Sequence, residues 1–160
     1  MDSAPGPMTA RRIRWAMLAY RSRVGAVILG KRMFDNGLES WQGENPWGVP
    51  AFVLSHEPCE PLSKNGDIQF TFVADGIEGA LERARATAVD KDVAIAGGAP
   101  TIRQYIAAGH LDELHLQLVP VILGSGVRLL EGVGNVAMDV EPLGASSSPG
   151  VTHLRYRLVR

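Results

Sequence analysis

Residues 92–108 read DVAIAGGAPTIRQYIAA, a short apolar run that stops at two glycines before a helical pattern begins. Val93, Ile95 and the alanines between them suit a strand buried on both faces. Gly97 and Gly98 let the backbone take conformations closed to residues with a Cβ, so the turn can approach a ligand closely. Pro100, at or near the first helical position, forfeits no needed hydrogen bond. Thr101 adds a hydroxyl beside the free N–H groups at the positive end of the helix dipole. Strand, phosphate-sized turn and helix together outline an anion site. A glycine pair before a helix also serves plain tight packing, and this stretch alone does not separate the two uses.

Two further apolar runs end in the same manner. GAVILGK, from Gly25 to Lys31, is a buried-strand pattern that closes on Gly30, Lys31 and Arg32 and passes into KRMFDNG, a short helical or turn segment. AFVL, from Ala51, ends at Ser55 and His56 before the loop EPCEPLSKNGD. Between them lies WQGENPWGVP, whose glycines and prolines predict a surface loop. Its Trp41 and Trp47 can either stack on a flat ring or cover the sheet edge.

Elsewhere, the spacing of Ile13, Met17, Tyr20 and Val24 after a Thr9 cap predicts an amphipathic helix, with residues 1–8 a flexible leader and 9–160 a single domain. Ile68 to Val73 reads as a strand. Asp75 and Gly76 can start the helix IEGALERARATAV. Beyond Gly109, Leu114, Leu116 and Leu118 mark a longer strand that leaves at PVILGSG. Val127 to Leu130 reads as a turn of helix, Ala137 to Pro142 as a short strand, and Gly144 to Gly150 as a loop of small residues. Val151 to Val159 alternates cleanly, as an antiparallel or edge strand does. Strands and helices alternate in the first two thirds and strands dominate the last, which predicts a mostly parallel α/β sheet with an antiparallel end.

Composition narrows the function classes. At 160 residues with 46% hydrophobic and 21% charged residues, the chain can bury a core unaided. A net charge of −1 argues against a nucleic-acid binder that works by bulk electrostatics, so an anion must be met locally. The lone Cys59 forms no intrachain disulfide, and no apolar run reaches the roughly 18 residues of a membrane span. A cytoplasmic protein with a small-molecule substrate is expected. Without HExxH or clustered histidines, no metal site is expected either, and GxGxxG, GxxxxGK[ST] and GxSxG are all absent. The three strand ends, if aligned on one carboxyl edge, describe a dinucleotide site with extra donors that lean toward NADP. Lys31 and Arg32 can equally be a solvated helix start.

VILGKRMF, FVLSH, AIAGGAPTIRQYIAAGHLDEL and LVPVILGSGVRLLEG together resemble the dihydrofolate reductase-like family related to the C-terminal reductase domain of the riboflavin-biosynthesis deaminase/reductase. The resemblance covers roughly residues 24–131. It implies a three-layer α/β/α sandwich that binds NADPH and passes hydride to a pterin or to an aminouracil ribose intermediate, as a 5-amino-6-(5-phosphoribosylamino)uracil reductase or a dihydrofolate reductase does. By resemblance, Gly30, Lys31 and Arg32 meet the cofactor's phosphates. Ser55 and His56 meet its 2′-phosphate end, and Gly97, Gly98, Ala99 and Thr101 its pyrophosphate. Family members open with a strand and loop of the form VSLDGYIA, and none precedes Thr9, so the sheet is expected to lack that strand and no catalytic residue is assigned. Asp35, Glu39 and Glu44 are the carboxylates within reach, of a type usually solvated. The alternative is a non-catalytic nucleotide-binding or interaction protein that retains the fold. The apolar PVILGSGVRLL segment suits either a homodimer or internal packing.

Overall fold

The computed structural model describes residues 22–134 and 137–159. The leader and the helix expected from Thr9 through Tyr20 lie outside the described residues. The chain divides between Gly98 and Ala99 into two compact units.

The first unit is built on a five-stranded sheet. Its elements are β1 (Val24–Gly30), α1 (Lys31–Gly37), β2 (Ala51–Leu54), β3 (Leu62–Lys64), β4 (Asp67–Val73), α2 (Gly76–Ala88) and β5 (Asp92–Gly97). Strand order is β3-β4-β2-β1-β5, and every pairing is parallel except β3 with β4. Val24, expected at the end of the N-terminal helix, is the first residue of β1. A β-branched residue fits the pleated strand better than a helix end. Ala26, Val27, Ile28 and Leu29 in β1 are fully buried, as a central parallel strand covered on both faces requires. Leu29 packs with Phe34, Ala51, Val53 and Phe70, and Val27 with Val24 and Ala94. Each of the valine, leucine and phenylalanine side chains contributes about 1.5–3 kcal/mol when fully buried, and the alanines less. Small residues bring α2 close to the sheet: Ala80, Ala84 and Ala88 are buried, and a Cβ on Gly25 would lie 2.8 Å from the Ala88 backbone.

The tryptophan-rich connection is irregular, as expected, yet its rings are anchored. Trp41 stacks on Phe70 at 6.1 Å and meets Trp47 edge-on at 5.2 Å. Asn45 ties the loop to β4, donating from Nδ2 to the Gln69 carbonyl at 3.1 Å while its own N–H donates to Gln69 Oε1 at 3.0 Å. Both tryptophans therefore cover the sheet rather than stand free to stack on a ligand. The loop before Asn65 also contains β3, three residues that pair with β4 ahead of the tight turn at Asn65 and Gly66.

The second unit holds α3 (Ala99–Ala107), β6 (Glu113–Leu118), β7 (Val140–Ser148) and β8 (Val151–Leu158). Its three strands form an antiparallel sheet ordered β6-β8-β7. Ile106, Leu114 and Leu158 form its core with Ile102, Leu111, Leu116 and Val133 around them. Two expectations fail here. The small residues from Gly144 to Ser148 are strand, paired through to Val151 at a tight turn, with a register shift between Pro142 and Gly144. Ladder pairing to the long β8 outweighs their poor intrinsic strand preference. Val127 to Leu130 is irregular chain that ends in a turn, not helix. A parallel-dominated sheet and an antiparallel one, with helices between strands, agree with the expected α/β class.

Candidate functional site

Parallel register fixes the geometry of the carboxyl edge in the first unit. Gly30 of β1 pairs with Leu54 of β2, and Leu29 pairs with Gly97 of β5, so the three strands end within a residue of one another. The chain leaves them at Lys31 and Arg32, at Ser55 and His56, and at Gly98. These seven expected site positions, counting Gly30 and Gly97, are thus neighbours along one sheet edge. Ala99 and Thr101 open α3 in the second unit, where Thr101 is buried one turn before the fully buried Tyr105. Its side chain lies on the packed face of the helix.

Each side chain on the edge has a distinct state. Gly97 has φ +136, a conformation that L side chains rarely adopt, and a Cβ there would meet Met33 Sδ at 3.2 Å. The Gly97–Gly98 peptide is cis. Gly30 is extended at φ −80, ψ 151 and leads directly into α1. Lys31 pairs with Asp35 one turn later and stands 5.5 Å from the Phe34 ring centroid. An exposed pair of this kind contributes about 0–1 kcal/mol, so a ligand anion can draw the ammonium away. Arg32 is exposed and makes no ion pair among the described residues. His56 is exposed as well. The Ser55 hydroxyl is occupied locally: it donates to the Glu57 carbonyl at 2.7 Å and accepts from the Glu57 N–H at 3.3 Å. That turn shapes the loop after β2 and leaves the hydroxyl less available than the sequence suggests.

The carboxylates singled out from the sequence are solvent-side groups. Asp35 holds Lys31, Glu44 holds Lys64 Nζ at 2.8 Å, and Glu39 is exposed. A residue not assigned to the site, Asp75, follows β4, whose Val73 pairs with Leu54 on the same edge. Its carboxylate makes no cap bond to α2 and instead meets Arg83 at 2.8 Å, in space left by Gly79. The signal for it was present in sequence as an acid directly after a β-rich run. In the second unit, His115 Nε2 lies 3.1 Å from Glu113 Oε2.

The family model of the RibD C-terminal domain matches residues 16–154. No curated protein matches the chain. Among solved structures, a protein assigned to riboflavin biosynthesis from Shewanella sp. PV-4 is similar with a TM-score of 0.73 at 21% identity, over 98% of this chain and 84% of that one. A pyrimidine reductase-like protein of Corynebacterium diphtheriae aligns with a TM-score of 0.59 at 14% identity, over 97% and 83% of the two chains. The diaminohydroxyphosphoribosylaminopyrimidine deaminase/5-amino-6-(5-phosphoribosylamino)uracil reductase of Thermotoga maritima gives 0.65 at 11% identity over 92% of this chain, which spans 49% of that protein. At these identities the structures speak to the fold, which they share with the dihydrofolate reductase-like architecture expected from the sequence. With the family model spanning most of its length, the chain belongs to the RibD C-terminal domain family.

Proposed function

We propose that the chain is an NADPH-dependent reductase of the riboflavin-pathway type, passing hydride to an aminouracil- or pterin-like small molecule. Family membership supports the reductase class, and the level ending of β1, β2 and β5 is the observation that carries the site. The residues present fit a dinucleotide phosphate. Gly97 keeps its backbone bare in a conformation that excludes a Cβ, and two cations, Lys31 and Arg32, follow Gly30 at the adjacent strand end. In this reading Gly97 and Gly98 admit the pyrophosphate, Lys31 and Arg32 supply charge to the phosphates, and His56, beside Ser55, stands at the 2′-phosphate end. Bound NADPH supplies the hydride; the protein's share is to hold and orient the partners, which can replace a large part of the entropic cost of reaction.

The direct test is titration of the purified chain with NADPH, read as energy transfer from tryptophan. Saturation below millimolar cofactor is expected, and a flat response would sink the proposal. A second reading, a nucleotide-binding protein without turnover, is favoured by the state of the nearby acids: Asp35, Glu44 and Asp75 are all paired with exposed cations. It expects the same saturation with no NADPH oxidation on adding an aminouracil ribose phosphate or dihydropterin. Oxidation above background with either one removes it.

A further inference from the structure

The sequence holds two Asn-Gly pairs, Asn36-Gly37 and Asn65-Gly66, and the fold treats them oppositely. Gly37 ends α1, with Asn36 one residue inside the helix. The Gly37 carbonyl accepts from the Trp41 N–H at 2.9 Å, and a Cβ on Gly37 would collide with the Trp41 ring. Helix bonds and the tryptophan therefore hold that pair's backbone in place. Asn65 and Gly66 are instead the two residues between Lys64 and Asp67, which pair directly across the β3–β4 hairpin. Both are exposed and have positive φ, +54 and +87, as a type I′ turn requires. The closing hydrogen bond of such a turn belongs to the flanking residues, which leaves the Gly66 N–H to solvent. A Cβ at Gly66 would meet nothing within 4 Å. Because β3 is three residues long and outermost in its sheet, the hairpin opens at little cost.

We propose that Asn65 is a site of spontaneous deamidation, a hydrolytic modification that the fold directs to this turn and away from Asn36. The Gly66 backbone nitrogen gives its proton to base and attacks Asn65 Cγ; the Cγ–Nδ2 bond breaks and the side-chain nitrogen leaves as ammonia. The succinimide ring so formed takes up one water, at the side-chain carbonyl to give aspartate or at the main-chain carbonyl to give isoaspartate. No oxidant or reductant is consumed. Glycine makes position 66 permissive, because a Cβ would crowd the attacking nitrogen. Isoaspartate lengthens the main chain by one methylene, and the two-residue loop is what fixes the Lys64–Asp67 register. Lys64 Nζ donates to the Gln42 carbonyl at 2.9 Å and to Glu44 at 2.8 Å, so a displaced β3 also releases the tryptophan-bearing loop on that side.

Peptide mapping by mass spectrometry tests this, after incubation of the full chain in mildly alkaline buffer and, as reference, in the same buffer with guanidinium chloride. In the denatured reference the two pairs should react alike. In the folded chain Asn65 should gain the mass of NH replaced by O roughly tenfold or more faster than Asn36, which reacts only when α1 opens. Enzymatic methylation of isoaspartyl carboxylates should label the same peptide. Gly66→Ala should slow conversion at Asn65 by roughly tenfold, in the denatured reference as well, where turn strain plays no part. Conversion of Asn36 at an equal or greater rate in the folded chain overturns the proposal. So does an Asn65 that stays intact in the folded chain while the denatured reference converts.

Discussion

Gly97 holds a backbone conformation that other residues avoid, and it does so at the end of a strand where Met33 Sδ already fills the space beside it. Gly97→Ala should therefore cost about 1–3 kcal/mol of stability, measured by urea denaturation, since the backbone and not only the neighbour resists the methyl. Trimming the neighbour with Met33→Ala should recover little. Val89 is the converse case: it caps α2 at φ +56 while 78% exposed, so its β-branched side chain is strained without packing to offset it. Val89→Gly should stabilise the chain by about 1 kcal/mol, seen as a raised urea midpoint with unchanged slope. Arg32 has no ion pair among the described residues to lose. Arg32→Gln should thus weaken NADPH binding roughly tenfold at unchanged melting temperature, one charge-assisted contact being worth about 1.5–3 kcal/mol. The freedom that position 97 uses could be read from the sequence because Gly97 and Gly98 close an apolar run directly before a helical pattern. The local turn of Ser55 could not, because it depends on where the Glu57 backbone lies.

Strands that run apolar into glycine were legible as elements, and parallel pairing made their ends coincide without any further signal. β7 was not legible: Ala145 and the serines after it carry no pattern of their own and become strand only because β8 offers a complete ladder. β3 escaped for a related reason, three residues being too few to show alternation. The contact between β1 and α2 is a prediction at this scale. Gly25 has an ordinary backbone, so Gly25→Ala tests packing alone; the new methyl, 2.8 Å from the Ala88 backbone, should push α2 outward at a cost of about 1–3 kcal/mol. Adding Ala88→Gly removes only the Ala88 Cβ and should return a minor part of that loss.

For the whole molecule, a near-zero net charge and an average composition left the function class open from bulk properties, and the family resemblance in four separated segments supplied the fold. The position of β1 has a dynamic counterpart. Lying between β2 and β5, it can expose its amides to solvent only after one of those neighbours has come away. In deuterated buffer, the amides of residues 26–29 should be among the last in the first unit to exchange, while those of the outermost β3 are lost early. The strand that leads to Gly30 is then also the part of this unit that opens least often, so the proposed phosphate edge is mounted on its slowest-moving backbone.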